Sequence, residues 1–480
     1  MPLRRFDFPA DFIFGSATAA YQIEGATRAD GRGDSVWDAF CREPGRVAGG
    51  ASGEEACRHY ELWDRDLDLL QQLRQQSYRF SVSWPRIQPG GSGPINPRGL
   101  AFYGRLIDGM LERGIRPNCT LYHWDLPTEL EQEGGWLNRD TASRFADYAA
   151  AVAKAFGDRV EFWATFNEAN IFTLLGYELG HHAPGRREGA KACRQVVHHV
   201  LLAHGLGLQA LRPRLRRPDA KAGIVLSPSA VWPQDGRPAS LASAENRWRH
   251  ESDWWMLPMT QGRYPDTVWK RLGQAVPEIR PGDMEAIRQP MDYVGLNYYS
   301  PARVAADPHD AGGWKVVPRS PLAPRTDMPG WEVFAPALRT LLLQYHRRYG
   351  LPIYVTENGM STAADAPGPD GRVRDPRRLD FLMRHLAEIR RAMDQGADVR
   401  GYFHWSTLDN FEWAFGYTQR FGLVHVDYAT QKRTPKDSAL WYRDFIQSRS
   451  FEADFEDKPS PFDALEPVAA GGALTRAPGT

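Results

Sequence analysis

Eight short apolar runs, separated by long polar and helix-patterned stretches, constrain this chain more than any other feature. They fall at residues 12–17, 78–84, 116–123, 162–167, 222–226, 293–298, 353–357 and 401–405. None shows the in–out alternation of a half-exposed sheet. That is the pattern of strands covered on both faces, as in a parallel sheet. Eight strands alternating with helices, without a second composition class, predict an α/β fold: one (β/α)8 barrel of the TIM type.

The intervening helices carry their own punctuation. Ser52 and Glu55 form a capping-box pattern ahead of Ala56, Tyr60, Trp63, Leu67, Leu70 and Leu73. Phe145, Tyr148, Val152 and Phe156 repeat the helical spacing, and Gly157 closes that segment. Pro336 opens a helix ending at Gly350, and Pro376 opens the cleanest amphipathic stripe, from Leu379 to Met393. Four Gly/Pro-rich insertions, 30–53, 176–191, 301–329 and 360–372, read as loops over the C-terminal face of the barrel. The barrel domain is expected to span residues 1–450, with a tail at 451–480 whose last residues, 467–480, lack periodicity.

Composition narrows the function classes. There are 59 Lys and Arg against 59 Asp and Glu, so there is no basic excess to bind nucleic acid or an anionic membrane. The longest unbroken apolar run is six residues, 148–153, too short for a membrane span. The N-terminus has arginines but no apolar stretch after them, unlike a secretory signal. The four cysteines form no CxxC pair, which speaks against a disulfide framework or structural zinc and suits the cytoplasm. The chain also carries 16 Trp, a surplus that serves cores and also the flat platforms that grip sugar rings.

Polar residues at strand C-termini are where a barrel places chemistry. They are Gln22 and Glu24 after strand one, Arg79 in strand two, and His123, Trp124 and Asp125 at strand three. Asn167 and Glu168 end strand four, and Asn297, Tyr298 and Tyr299 end strand six. Glu357 and Asn358 end strand seven, and Trp405, Asp409, Asn410, Glu412 and Trp413 follow strand eight. Strand five offers mainly Ser227. Glu168 and Glu357 each cap an apolar strand, on strands roughly opposite around the ring. Two facing, shielded carboxylates are the requirement for glycoside hydrolysis. Arg79, a charge inside an apolar strand, suits a fixed cation that keeps a carboxylate ionised. Trp405, Glu412 and Trp413 together combine apolar faces with an acceptor for hydroxyls.

GxGxxG, GxxxxGK, HExxH and GxSxG motifs are absent. His181–His182 and His198–His199 are adjacent pairs whose side chains diverge, so no metal site is expected, and no cofactor. A Schiff-base barrel enzyme would need a lysine at a strand C-terminus, but Lys221 stands at the opposite end of its strand. A non-catalytic sugar-binding barrel would have no need of both glutamates.

These residues together resemble glycoside hydrolase family one, the β-glucosidase family, over residues 7–447. The similar segments are 12–25 (FIFGSATAAYQIEG), 79–84 (RFSVSW), 123–127 (HWDLP) and 297–299 (NYY). To these are added 165–168 (TFNE), 356–359 (TENG) and 405–413 (WSTLDNFEW). The resemblance implies Glu168 as acid/base and Glu357 as nucleophile. It implies that Asn167 holds the 2-hydroxyl, and that Gln22, His123, Trp124, Trp405, Glu412, Trp413 and Phe421 line the sugar site. Arg79, Asn297 and Tyr299 would support the nucleophile, and Trp331 would be a platform for the aglycone. Ala169 stands where the family usually has proline.

The expectation is therefore a retaining β-glucosidase. Its substrates would be unphosphorylated β-glucosides, such as aryl glucosides or short oligosaccharides of the kind cellulose and other polysaccharides yield. A preference for β-galactosides or β-fucosides is the alternative. The partner is a small sugar; the oligomeric state is left open.

Overall fold

The structure is a computed structural model that describes residues 4–310, 312–319 and 321–447; the expected tail at 451–480 lies outside them. Eight parallel strands close into a barrel: β1 (Ile13–Ala17), β2 (Ser77–Ser81), β3 (Arg116–Tyr122), β4 (Phe162–Phe166), β5 (Lys221–Leu226), β6 (Tyr293–Tyr298), β7 (Ile353–Asn358) and β8 (Val399–Trp405). They follow one another round the ring in chain order, and β8 pairs back onto β1, with Ile13 opposite Gly401 and Ala17 opposite Trp405. Every apolar run in the sequence is thus a barrel strand. Their shared lack of alternation has a direct cause: one face fills the barrel and the other meets the helices.

Ile13, Phe162, Tyr293, Tyr354 and Phe403 fill the lower barrel as an apolar plug. The Tyr354 ring packs against Phe162 and against Tyr293 at 5.2 Å each. With the bottom closed, polar groups collect at the top. Outside, helices such as Asp140–Phe156, Ala335–Tyr349 and Pro376–Asp394 bury their apolar stripes on the strands. Gly350 ends the second of these in the left-handed conformation, at φ 68°.

Three expectations need correction. The 30–53 insertion holds a helix, Val36–Arg42, started by a capping box between Ser35 and Asp38. The 301–329 insertion contributes strands Pro301–Ala306 and Trp314–Val316; the first lies between Ala230–Pro233 and the second in a small separate three-stranded sheet. Ser52 caps nothing: the helix there is His59–Gln72, which starts after Arg58 at φ 49°. The Ser52 segment is instead held by Tyr417, whose hydroxyl donates to the Ser52 carbonyl at 2.7 Å.

Candidate active site

The strand ends bring the expected residues together at the top of the barrel. Glu168 is the first residue past Asn167 at the end of β4, and Glu357 lies within β7, three strands further round. Both are over nine-tenths buried, at 6% and 3% exposure. Glu168, Trp124 and Trp413 hold left-handed backbones, at φ 48°, 79° and 50°. Such strain costs of order 1 kcal/mol or more per residue and persists where surrounding structure fixes it, as at sites of chemistry. Gly359, just past Glu357, is required: a Cβ there would lie 1.8 Å from the Trp405 carbonyl oxygen.

Glu357 has a donor on each oxygen. Arg79 Nη1 donates to Oε1 at 2.6 Å, and the Tyr299 hydroxyl donates to Oε2 at 2.5 Å. Burial and the neighbouring carboxylate hold the Tyr299 phenol well above its usual range, so it remains a donor. The other arm of the Arg79 fork, Nη2, donates to Asn167 Oδ1 at 2.7 Å. That contact fixes the Asn167 amide. Its Nδ2 must then donate to His123 Nε2, at 2.9 Å. His123 is accordingly neutral, with its proton on Nδ1. Burial and the charge of Arg79 push its pKa well down. Nδ1 itself is buried without a partner among the described residues, placed to donate to a ligand.

Glu168 has a different setting. Asn297 Nδ2 donates to its Oε1 at 2.9 Å and to Asn167 Oδ1 at 3.1 Å. No cation bonds it among the described residues. Burial, then the charge of Glu357, push Glu168 up to about 8, opposed by hydrogen bonds from Asn297 and Ser227. Burial also raises Glu357, but Arg79, Tyr299 and Asn297 oppose it directly. The first proton taken up by this pair therefore resides on Glu168.

Beside the pair lies a pocket of rings and amides. Trp405 stacks near His123, with centroids 5.8 Å apart, and Trp413 packs on Trp124 and Trp37 at 4.6 Å each. Trp124 is less a wall than a brace: its Nε1 donates to the Asn167 carbonyl at 3.0 Å. Gln22 Nε2 donates to Asn410 Oδ1 at 3.1 Å and the Phe411 carbonyl at 2.8 Å, and lies 3.5 Å from Glu412 Oε2. Its Oε1 is buried and has no partner among the described residues. Glu412 is half-buried, and burial with the charges of Glu357 and Glu168 pushes it up to about 8. At the outer edge, the half-buried Trp331 packs on Tyr299 at 4.9 Å and on Phe421 at 6.2 Å.

Some sequence candidates serve structure instead. Asp409 is buried between Lys436 at 2.8 Å and Arg420 at 2.9 Å. Glu24 bonds Arg86 and Tyr103, and His198 bonds Tyr264 and Asp283 within helix Ala190–Leu211. Two contributors carried weak signals. Ser227 is the main polar residue that strand five offers, and its hydroxyl lies near enough to Glu168 to oppose the rise of its pKa. Thr356 stands beside Glu357, where strand alternation would turn its side chain away. Among the described residues no group of three or more His, Cys, Asp or Glu could hold a metal ion.

The chain matches the Glycosyl hydrolase family 1 model over residues 4–451. It is 45% identical over 438 residues to a β-glucosidase of Agrobacterium sp., covering 91% of this chain and 94% of that protein. It is 42% identical to a bifunctional β-D-glucosidase/β-D-fucosidase of Bifidobacterium breve, covering 92% and 99%. The solved structure of the family 1 β-glucosidase from Thermotoga maritima with isofagomine lactam superposes with a TM-score of 0.87, at 41% identity, covering 92% of this chain and 98% of that one. A match across nearly the whole chain, on a closed barrel with two buried carboxyls at its mouth, leaves one assignment: this chain belongs to glycosyl hydrolase family 1.

Proposed function

We propose that this protein is a retaining β-glucosidase that releases terminal, unphosphorylated β-D-glucosyl residues from oligosaccharides or from aryl and alkyl glucosides. One observation carries the reading: of the two buried carboxyls at the barrel mouth, Glu357 is salt-bridged to Arg79, while Glu168 has no cation partner among the described residues and is pushed up to about 8 by burial and the charge of Glu357. That asymmetry suits a two-step reaction. Glu357 attacks the anomeric carbon as Glu168 protonates the leaving oxygen, so no alkoxide departs. Glu168, now a carboxylate, takes a proton from water, which displaces Glu357 from the sugar. Two inversions give net retention. The reaction calls on no metal or cofactor.

Asn167 has a spare amide hydrogen and His123 a free Nδ1–H, which suit hydroxyls on one edge of the sugar. The Gln22 oxygen and Glu412 suit the far edge. Trp405 and Trp413 supply its apolar face, and Phe421 with Trp331 the exit side. A preference for β-galactosides or β-fucosides is the second reading; the relative from Bifidobacterium breve, described as a bifunctional β-D-glucosidase/β-D-fucosidase, supports its fucoside part. We take residues 1–450 as one catalytic domain with 451–480 as its tail. No described helix is long and apolar enough to cross a membrane. The four cysteines are free thiols, which supports a reducing compartment, the cytoplasm.

The test is stereochemical. Proton spectra during hydrolysis of an aryl β-glucoside should show β-glucose first, with α-glucose appearing by mutarotation. In Glu357→Gly, azide should fill the vacated space and yield the α-glucosyl azide. Early α-glucose from the wild type, or a β-azide from the variant, overturns the mechanism.

A further inference from the structure

Thr356 sits at an irregularity in β7. Val355 pairs with Leu296 and Glu357 with Asn297, so Thr356 is the extra residue of a bulge. In a regular strand, residues 356 and 357 would face opposite sides. Here the Thr356 hydroxyl reaches Asn297 Oδ1 at 2.7 Å, while Glu357 meets Arg79 and Tyr299 in the same cluster. Gly295 makes the room: a Cβ there would lie 2.8 Å from Thr356 Cγ2 and 2.9 Å from Oγ1. The Thr356 carbonyl also accepts from Arg79 Nη1 at 3.3 Å. The side chain is 1% exposed.

Asn297 has two unlike ends. Its Nδ2 serves Asn167 Oδ1 and Glu168 Oε1, both acceptors. Its Oδ1 can only accept, so the Thr356 hydroxyl is the donor. We propose that Thr356 is a positioning residue of the reaction: by donating to Asn297 Oδ1, it holds the amide so that an N–H faces Glu168. This rests on the reading of Glu168 as acid/base.

The consequence lies in the second step. An N–H aimed at Glu168 favours its carboxylate form, the form that takes a proton from water. Without the Thr356 hydroxyl, Asn297 Oδ1 is buried with no donor, the amide loosens, and Glu168 is harder to deprotonate. The other charged or titratable groups facing Glu168 are Glu357 on β7, Arg79 on β2, Tyr299 after β6 and Glu412 after β8, and the Ser227 hydroxyl after β5 also opposes its rise. The Thr356 side chain bonds none of them, and the Arg79 contact is to its backbone. Removing the hydroxyl therefore acts through Asn297, which bonds Glu168 directly and also helps to oppose the rise of Glu357.

The experiment compares wild type with Thr356→Val, Thr356→Ala and Thr356→Ser, as kcat/KM against pH on an alkyl β-glucoside and as kcat on an aryl β-glucoside with an acidic leaving group, for which the second step is limiting. Valine keeps the shape, alanine fits any space threonine fills, and serine keeps the hydroxyl. The basic limb of kcat/KM should move up by about half a pH unit or more in the first two, the size of a weakened neutral hydrogen bond. Their kcat should fall about tenfold, within the range of general acid–base effects. Thr356→Ser should restore both. An unmoved basic limb in Val and Ala, or a Ser variant no better than they are, overturns the proposal. Failure of the Glu168 reading shows separately, as a Glu168→Ala variant that retains the basic limb.

Discussion

Arg79 Nη1 stands 2.6 Å from Glu357 Oε1, with the two side chains only 1% and 4% exposed. Burying a lone carboxylate is costly, and breaking such a pair is worth about 3–5 kcal/mol. A Glu357 without its cation would take up a proton instead, and a protonated carboxyl is no nucleophile.

Arg79→Met should therefore lower kcat by about a hundredfold or more, on the scale of losing one preorganised electrostatic contact. The acidic limb of the pH profile should also move up, because Glu357 then protonates at higher pH. Arg79→Lys keeps the charge but cannot reach both Glu357 and Asn167, so it should fall between. An acidic limb unmoved in both variants would remove Arg79 from the titration of Glu357.

Glu168 is pushed up to about 8, so activity requiring its proton should decline as pH rises through about 8. In Glu168→Ala that limb should vanish. Aryl glucosides with acidic leaving groups should keep much of their first-step rate. Alkyl glucosides should lose more than the 10²–10⁴-fold typical of general acid catalysis. Equal losses on good and poor leaving groups would deny Glu168 the acid role.

Asp125 poses a stability question rather than a catalytic one. It is 1% exposed, and among the described residues its carboxyl has no well-formed hydrogen bond, only weak contacts with the Ser83 hydroxyl and its own backbone N–H. Burial pushes it up to about 8. A folded pKa above the unfolded one of about 3.9 means stability is greatest below that lower value and declines as pH rises through about 8. The melting temperature should fall between pH 5 and pH 9, with Glu168 and Glu412 adding slope of the same sign. Asp125→Asn, which has the shape of the neutral acid, should flatten part of that fall and raise Tm at pH 9 by roughly a few degrees. A variant with the wild-type slope would mean Asp125 is solvated in the folded chain.

The barrel and its two carboxyls were legible in the sequence because periodicity and position carry them. An apolar strand ending in Glu168 or Glu357 places the side chain at the mouth whatever the loops do. Helix Val36–Arg42 escaped because its neighbours are rich in Gly and Pro, although Ser35 and Asp38 already have capping-box character. Thr356 escaped because its role depends on a bulge, a local offset between β6 and β7 that no periodicity records. Asp409 misled in the opposite direction. Its strand-end position read as functional, but Lys436 comes from the far end of the chain to neutralise it.

That engagement of Lys436 bears on the choice of sugar. Glu412 has no Lys or Arg partner among the described residues, and its nearest donor is Gln22 Nε2 at 3.5 Å. The sequence offers Glu412 as an acceptor for hydroxyls. At about 8, its pKa instead makes it largely a neutral carboxyl at pH 6–7, able both to donate and to accept. Sugar hydroxyls satisfy such a group. A 6-phosphate would add about two negative charges close to Glu412 and the ionised Glu357. The nearby cations are engaged: Arg79 by Glu357 and Asn167, Arg420 and Lys436 by Asp409. Protonation of Glu412 removes one repulsion but supplies no cation. The uncompensated charge in a partly dry pocket should cost a factor of about 10³ or more in kcat/KM. Aryl β-glucoside should therefore be cleaved and its 6-phosphate scarcely at all, measured side by side at pH 6.5. Comparable values for the two would place Glu412 away from the sugar. In that case Glu412→Gln would also leave the ratio of glucoside to galactoside cleavage unchanged, whereas a direct contact to the 4-hydroxyl should shift it.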